Sequence, residues 1–313
     1  MQTRLRIGTR GSALALKQTH EFIAALAQAE GWDAGLAEAR TEIVVIKTTG
    51  DVVQDRSLAD IGGKGLFAKE IEEALLSNRI DCAVHSLKDM PSFLPPELAI
   101  VAHLTREDPR DAFVSPKTAS LQALPHGAIV GSSSVRRQAI LLHHRPDLKI
   151  INFRGNVDTR LRKLNEGQAD ATVLALAGLK RLGLEAHARH IFSTDEMLPS
   201  VAQGVIGIEV RAGDAAVRER VAAVDHQPTA LAAICERAFL QVLDGSCKTP
   251  LAGLAEWHGA SLAFRGAALT LDGKQRHDVA RRSQVRSSAE AEAMGRDAGE
   301  DLLARAGRAF FTQ

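Results

Sequence analysis

Four turns in this chain place cationic side chains where helix physics disfavours them. Gly131-Ser132-Ser133-Ser134-Val135-Arg136-Arg137 follows the apolar run Ala128-Ile129-Val130 and opens a helical segment. Ser134 is a good N-cap. The first turn behind it should favour acidic residues, because that end of a helix carries partial positive charge. Two arginines stand there instead. Arg10-Gly11-Ser12, Arg154-Gly155-Asn156 with Arg160 a turn later, and Gly62-Gly63-Lys64-Gly65 ahead of Phe67 repeat the arrangement. An anion stabilises such a turn, since backbone N–H groups, hydroxyls and guanidinium forks converge on one charge. For a single turn, solvation or pairing with an Asp or Glu elsewhere accounts for the arginines equally well. Four turns together point to a ligand with several carboxylates or phosphates. The glycine-rich loop matches neither G-x-x-x-x-G-K-[ST] nor G-x-G-x-x-G, which disfavours a nucleotide-dependent transferase.

Two further residues carry chemistry. His85-Ser86-Leu87-Lys88-Asp89-Met90-Pro91 follows a strand predicted over Asp81 to Val84. A carboxylate among so many cations is a candidate proton donor or cation stabiliser. Taken alone, an ion pair of Asp89 with Lys88 or an arginine is the simpler reading. His85 reads as a packed or turn residue, with no Ser or Cys nucleophile pattern around it. Of the three cysteines, Cys82 falls in a strand and Cys235 in a helix, and both read as core. Cys247 is the one thiol in a turn, Asp244-Gly245-Ser246-Cys247-Lys248-Thr249-Pro250, where Lys248 favours the thiolate. By itself that is a weak pointer. With no C-x-x-C and no H-E-x-x-H, neither a disulfide framework nor a bound metal is expected.

These turns need elements to hold them. Leu5-Arg6-Ile7 reads as a strand, and a helix follows from Ser12 with Ala15, Thr19, Phe22 and Leu26 on one face. Glu42 to Ile46 is a β-branched strand. Phe67, Ile71 and Leu75 mark a helix. The rhythm resumes with Ala128 to Val130, a helix from Ser134, a strand over Ile150 to Phe153, and a helix carrying Val157, Leu161 and Leu164. Strand–helix alternation argues for α/β layers with largely parallel sheets, whose strand-to-helix turns lie at the ligand-binding edge. Val205 to Val210 is a later strand that can return to the first sheet and make that domain discontinuous. A helix over Pro228 to Leu243, short alternating runs over Ser261 to Arg265 and Ala268 to Leu271, and a helix from Ser288 read as a small α+β domain. The composition is that of an ordinary globular protein. A net charge of +1 and no Tyr exclude a global field or stacking platform for nucleic acid. Neither a membrane span nor a signal peptide is visible, so a cytoplasmic location is expected.

The segments together resemble the porphobilinogen deaminase (hydroxymethylbilane synthase) family. The matching stretches are Ile7 to Ser12, Gly62 to Phe67, Ala83 to Pro91, Glu107 to Phe113, Gly131 to Gln138, Arg154 to Arg160, Leu176 to Gly183 and the Cys247 turn. The resemblance implies two α/β domains like periplasmic-binding-protein lobes, with mostly parallel sheets and the site in the cleft between them, plus a small C-terminal α+β domain. The divisions expected are 1–104 with 205–222, 105–204, and 223–313. It implies a transferase that joins four porphobilinogens head to tail, losing ammonia each time, into linear hydroxymethylbilane. The primer would be a dipyrromethane cofactor in thioether linkage to Cys247.

By the same resemblance Lys88, Ser86, Ser132, Ser134, Arg136, Arg137 and Lys64 would hold the cofactor. Arg10, Ser12, Gln18, Phe67, Arg154, Arg160, Arg181 and Gln203 would hold the substrate and the extending chain. Asp89 would protonate the leaving amine and stabilise the cationic azafulvene and pyrrole nitrogens. This agrees with the charge reading, since each pyrrole carries an acetate and a propionate. The glycine-rich loop would act as a lid. A monomer is expected, with no nucleic acid, membrane or metal partner. Ser246 and Asp158 stand where the family commonly has Gly, the second adding negative charge near Arg160. An alternative reading is a two-lobed sensor or carrier of an organic anion, in which Cys247 would have no role.

Overall fold

The structure is a computed structural model that describes residues 4–52, 65, 67–243 and 249–311. In chain order it runs β1 (Leu5–Thr9), α1 (Ala13–Glu30), α2 (Ala34–Arg40), β2 (Thr41–Val45), α3 (Thr49–Val52), α4 (Lys69–Leu76), β3 (Cys82–Ser86), β4 (Leu98–His103) and β5 (Asp111–Val114). Then come β6 (Ile129–Gly131), α5 (Val135–His144), β7 (Lys149–Ile151), α6 (Val157–Asn165), β8 (Ala171–Ala175), α7 (Leu176–Arg181), β9 (His190–Ile191) and β10 (Ile206–Arg211). The chain closes with α8 (Ala215–Ala222), α9 (Gln227–Val242), β11 (Leu251–His258), β12 (Ser261–Leu269), β13 (Arg276–Gln284), α10 (Ser288–Ala306) and α11 (Arg308–Phe311).

One compact unit gathers residues 4–52, 65, 67–107 and 205–230. Its five-stranded sheet has the order β2-β1-β3-β10-β4. β1 pairs in parallel with β2 and β3, and β10 runs antiparallel between β3 and β4. The return of the chain after residue 204 therefore completes the first sheet. Helix α1 buries Ala15, Gln18, Thr19, Phe22 and Leu26. Its ends are set locally: Ser12 Oγ accepts the N–H of Ala15, and Gly31 closes the helix in the left-handed region at φ 67°. Phe22 and Leu26 pack with Ile7, Val84 and Ile208 into the unit's core. The helix expected around Phe67 begins at Lys69, so Phe67 precedes it and is not a helical core position.

The second unit gathers residues 108–204 and the described part of 231–313. Its five-stranded sheet has the order β7-β6-β8-β5-β9, with β6 parallel to β7 and β8 and with β5 antiparallel to β8. The strand expected through Phe153 ends at Ile151, because the Phe153 N–H turns to Ser133 Oγ at 3.0 Å. A three-stranded antiparallel sheet, β11-β12-β13, belongs to the same unit. Ala252, Leu254, Ala267 and Leu269 share a hydrophobic cluster with Phe113, Val130, Ile140 and Val173. The two short runs expected over Ser261 to Arg265 and Ala268 to Leu271 are one strand, β12, and its neighbours β11 and β13 carry no clear alternation in the sequence. Helix α10 lies close against α9: a Cβ on Gly295 would sit 1.9 Å from the Cys235 carbonyl oxygen.

Candidate active site

Within the first unit, the turns after β1 and β3 meet at one hollow. It is lined by Arg10, Ser12, Gln18, Phe67, His85, Ser86 and Asp89, among others. Gln18 is buried on α1 and exchanges hydrogen bonds of 2.8 and 3.0 Å with Ser86 Oγ, which fixes the end of β3 against the helix. Behind the hollow, His85 Nε2 lies 3.0 Å from the fully buried Glu209 on β10, so His85 is a packed residue. Leu87 to Asp89 make a single 3-10 turn, tied back by the Leu87 N–H to the Val205 carbonyl at 3.0 Å. Lys88 is half-buried and Asp89 exposed. Among the described residues, the Asp89 carboxylate makes no ion pair or hydrogen bond, so the pairing with Lys88 or an arginine is not present. A carboxylate left unpaired at the mouth of a polar hollow is free to meet a cationic or amine-bearing ligand.

Arg10 has a partner that the sequence did not announce. Its guanidinium pairs with Asp51, and it lies over the Phe67 ring at 4.1 Å. The cation–π contact explains an aromatic residue at position 67. Burial pushes the Asp51 carboxyl up, but Arg10 and Thr48 outweigh it and hold the group below its ordinary value.

Within the second unit, Arg136 and Arg137 do not point to solvent. Both are buried at the start of α5, and both reach the fully buried Asp111 at the start of β5. Arg136 Nη2 donates to Asp111 Oδ2 at 2.7 Å, and Arg137 Nη2 and Nε donate to Oδ1 at 2.7 and 3.2 Å. Burial pushes the Asp111 carboxyl up, but the two guanidiniums outweigh it and hold it well below the carboxylate range. Burial also pushes the Arg136 pKa down, against the pull of Asp111. An internal carboxylate, Asp111, is thus one anion that these two arginines share. It is one charge against two, and Arg136 Nε is buried with no hydrogen-bond partner among the described residues. A buried cluster with two guanidiniums on one carboxylate remains suited to an acidic ligand. The serine hydroxyls serve the turn itself: Ser134 N–H donates to Ser132 Oγ at 3.2 Å, and Arg137 N–H donates to Ser134 Oγ at 3.4 Å.

The remaining residues of this unit are gathered by two turns. Gly155 has φ 127°, and a Cβ there would meet Thr159 at 2.6 Å, which explains the glycine between Arg154 and Asn156. Asn156 caps α6 by accepting the Thr159 N–H at 2.9 Å. Arg154 is buried, and Arg160 Nε donates to the Gly155 carbonyl at 2.9 Å. Asp158 is exposed in the first turn of α6, where its charge suits the helix end. The second turn, residues 198–204, accepts Arg136 Nη1 on the Leu198 carbonyl at 2.8 Å and Arg181 Nη2 on the Gly204 carbonyl at 3.1 Å. Between them, fully buried Gln203 donates to Asp111 Oδ1 at 2.9 Å and to the Pro109 carbonyl at 2.7 Å. Lys64 and Cys247 lie outside the described residues.

Sequence reasoning missed Asp51, Asp111 and Glu236. Asp111 had a signal, an acidic residue directly before the apolar Ala112-Phe113-Val114, in a position that buries it. Asp51 and Glu236 had none. The described residues hold no cluster of three or more His, Cys, Asp or Glu side chains able to take a metal, and no helix among them is long and apolar enough to cross a membrane.

Comparison with known proteins adds to this geometry. A family model described as porphobilinogen deaminase, dipyromethane cofactor binding domain, matches residues 5–219. A second, the porphobilinogen deaminase C-terminal domain, matches residues 230–304. A porphobilinogen deaminase of Paracoccus denitrificans is 54% identical over 310 residues, covering 99% of this chain and 97% of that protein. A chloroplastic porphobilinogen deaminase of Oryza sativa is 51% identical, covering 98% of this chain and 85% of that protein. Among solved structures, the methionine-binding protein MetQ aligns at a TM-score of 0.46 with 15% identity, over 71% of this chain and 89% of that one.

Proposed function

The chain belongs to the porphobilinogen deaminase family, and from that premise we propose how its own side chains divide the work. The enzyme polymerises four porphobilinogen molecules into the linear tetrapyrrole hydroxymethylbilane, with loss of ammonia, on a dipyrromethane primer. Each addition would break the bond between the side-chain methylene and the amine, form a carbon–carbon bond to the free pyrrole position of the preceding ring, and release the proton that this position carried. Asp89 gives the departing amine its proton, and its carboxylate then faces the positive charge left on the pyrrole. The observation that carries this assignment is that, among the described residues, Asp89 is the acid lining the Arg10–Gln18–Ser86 hollow and its carboxylate makes no ion pair.

The primer supplies the nucleophilic terminal pyrrole to which the first substrate is joined. Cys247 holds it in thioether linkage. The residues of the second unit fit a polycarboxylate of this kind: Arg136 and Arg137 present two charges to one internal carboxylate, and Arg136 Nε has no hydrogen-bond partner among the described residues. In this reading Arg136, Arg137, Ser132, Ser134, Ser86, Lys88 and Lys64 hold the primer's acetates and propionates. Arg10, Ser12, Gln18, Phe67, Arg154, Arg160, Arg181 and Gln203 hold the incoming substrate and the lengthening chain. A three-part division at 1–104 with 205–222, 105–204 and 223–313 is supported by the three separate sheets. A monomeric, cytoplasmic enzyme completes the proposal. Intact-mass measurement of the denatured holoenzyme tests the attachment. A dipyrromethane adduct that is absent in Cys247→Ser is expected, and a bare thiol on active enzyme would refute it.

A further inference from the structure

Glu236 is a fully buried carboxylate on α9, in the interior of the second unit. Oε2 accepts the backbone N–H of Ala202 at 2.6 Å, and Oε1 accepts that of Ala255 on β11 at 2.8 Å. Ala202 is one of two non-glycine residues with positive φ among the described residues, at 58°. Such a residue persists only where its surroundings over-determine it. Here the surroundings are Glu236, the Gly253 N–H to Pro199 carbonyl bond at 3.0 Å, and the Gln203 N–H to Ser200 carbonyl bond at 3.0 Å.

The turn so held is the one that sets the arginines. Its Leu198 carbonyl takes Arg136, its Gly204 carbonyl takes Arg181, and its Gln203 side chain takes Asp111, on which Arg136 and Arg137 both rest. The same helix α9 leads in sequence to Cys247, five residues beyond Val242. We propose that Glu236 is a positioning residue: from α9 it locks the 198–204 turn, and through that turn it sets Arg136, Arg137 and Arg181 for the carboxylates of the primer and substrate. This rests on the reading that those arginines bind the pyrrole carboxylates. Glu236 touches no reacting group. Glu236 lies on the helix that precedes Cys247 in the sequence, and it holds the turn on which the arginines rest.

Glu236→Gln tests this in the holoenzyme. The substitution keeps shape and one acceptor oxygen but turns an NH2 group against one of the two backbone N–H donors. At a temperature well below the variant's melting point, with a native circular dichroism spectrum and the primer adduct present, kcat/KM should fall about ten- to a hundredfold, mostly through KM. A merely structural role would lower the melting point and leave kcat/KM per folded molecule within about twofold of the parent, and that outcome overturns the inference. A double-mutant cycle with Gln203→Ala adds an independent reading. Two changes acting through one turn should be strongly non-additive in kcat/KM, and additivity within about twofold also overturns it. Where Glu236→Gln does not accumulate as folded protein, Glu236→Asp, which keeps the charge but not the reach, is read the same way. Parent enzyme that carries no adduct and makes no tetrapyrrole would instead overturn the underlying functional reading.

Discussion

Replacing Asp111 with Asn removes one charge and almost no volume. Asp111 Oδ1 accepts from Arg137 Nη2, Arg137 Nε and Gln203 Nε2, whereas Oδ2 accepts from Arg136 Nη2 alone. The asparagine oxygen therefore takes the Oδ1 side, and its NH2 group points at Arg136. Among the described residues, Arg136 then keeps only its bond to the Leu198 carbonyl, with the residue 4% exposed and its Nε without a partner. Breaking a buried pair from one side costs about 3–5 kcal/mol, because an uncompensated charge stays behind. For a unit of this size that is a fall of roughly 6–20 °C in melting temperature. Calorimetry and urea unfolding at neutral pH measure it.

The same substitution has a pH signature. Burial raises the Asp111 carboxyl, but Arg136 and Arg137 outweigh it, so the folded-state pKa lies below the unfolded value. The stability it contributes is then complete above the unfolded carboxyl value of about 3.9 and is lost as pH falls toward the lower folded value. The gap between parent and Asp111→Asn should be flat from about pH 8 to pH 5 and narrow below about pH 4. A gap under about 1 kcal/mol at neutral pH, or one that stays constant into strong acid, would refute the assignment of Asp111 as the arginines' internal anion.

Asp89→Asn should fold normally and keep its covalent primer while losing nearly all turnover; near-parental kcat would remove Asp89 from the chemistry. Gly295→Ala drives a methyl group into the Cys235 carbonyl and should cost at least about 1–3 kcal/mol in urea unfolding, with α9 and α10 forced apart. Burial and the neighbouring charge of Glu209 raise the Glu72 carboxyl, whereas His85 lowers it. A raised folded pKa means that stability is full below the unfolded value and lost as pH rises through the folded one, so Glu72→Gln should melt higher than the parent at pH 8, with the difference vanishing near pH 4.

Local rules reach a definite depth in this chain. Ser12 and Gly31 bound α1, and its buried face falls on Ala15, Thr19, Phe22 and Leu26, because capping and a 3.6-residue period act within one helix. The arginine turns after β1, β6 and β7 are equally legible, since a cation in the first turn of a helix conflicts with the adjacent backbone. The strand β13 is not: Arg276–Gln284 is polar or charged along most of its length, and it is a strand because β12 pairs with it. That pairing is tertiary context, which overrides local preference.

What the sequence by itself determined is the class of ligand: several guanidiniums at strand-to-helix turns require negative partners wherever the chain folds. Only the tertiary structure decided which partners are internal. Asp51 reaches Arg10 across 41 positions and Asp111 reaches Arg136 across 25, and Glu236 accepts the Ala202 N–H from 34 residues further on. Electrostatic pairing depends on distance in space and on exclusion of water, and neither quantity is written in the spacing of residues along a chain.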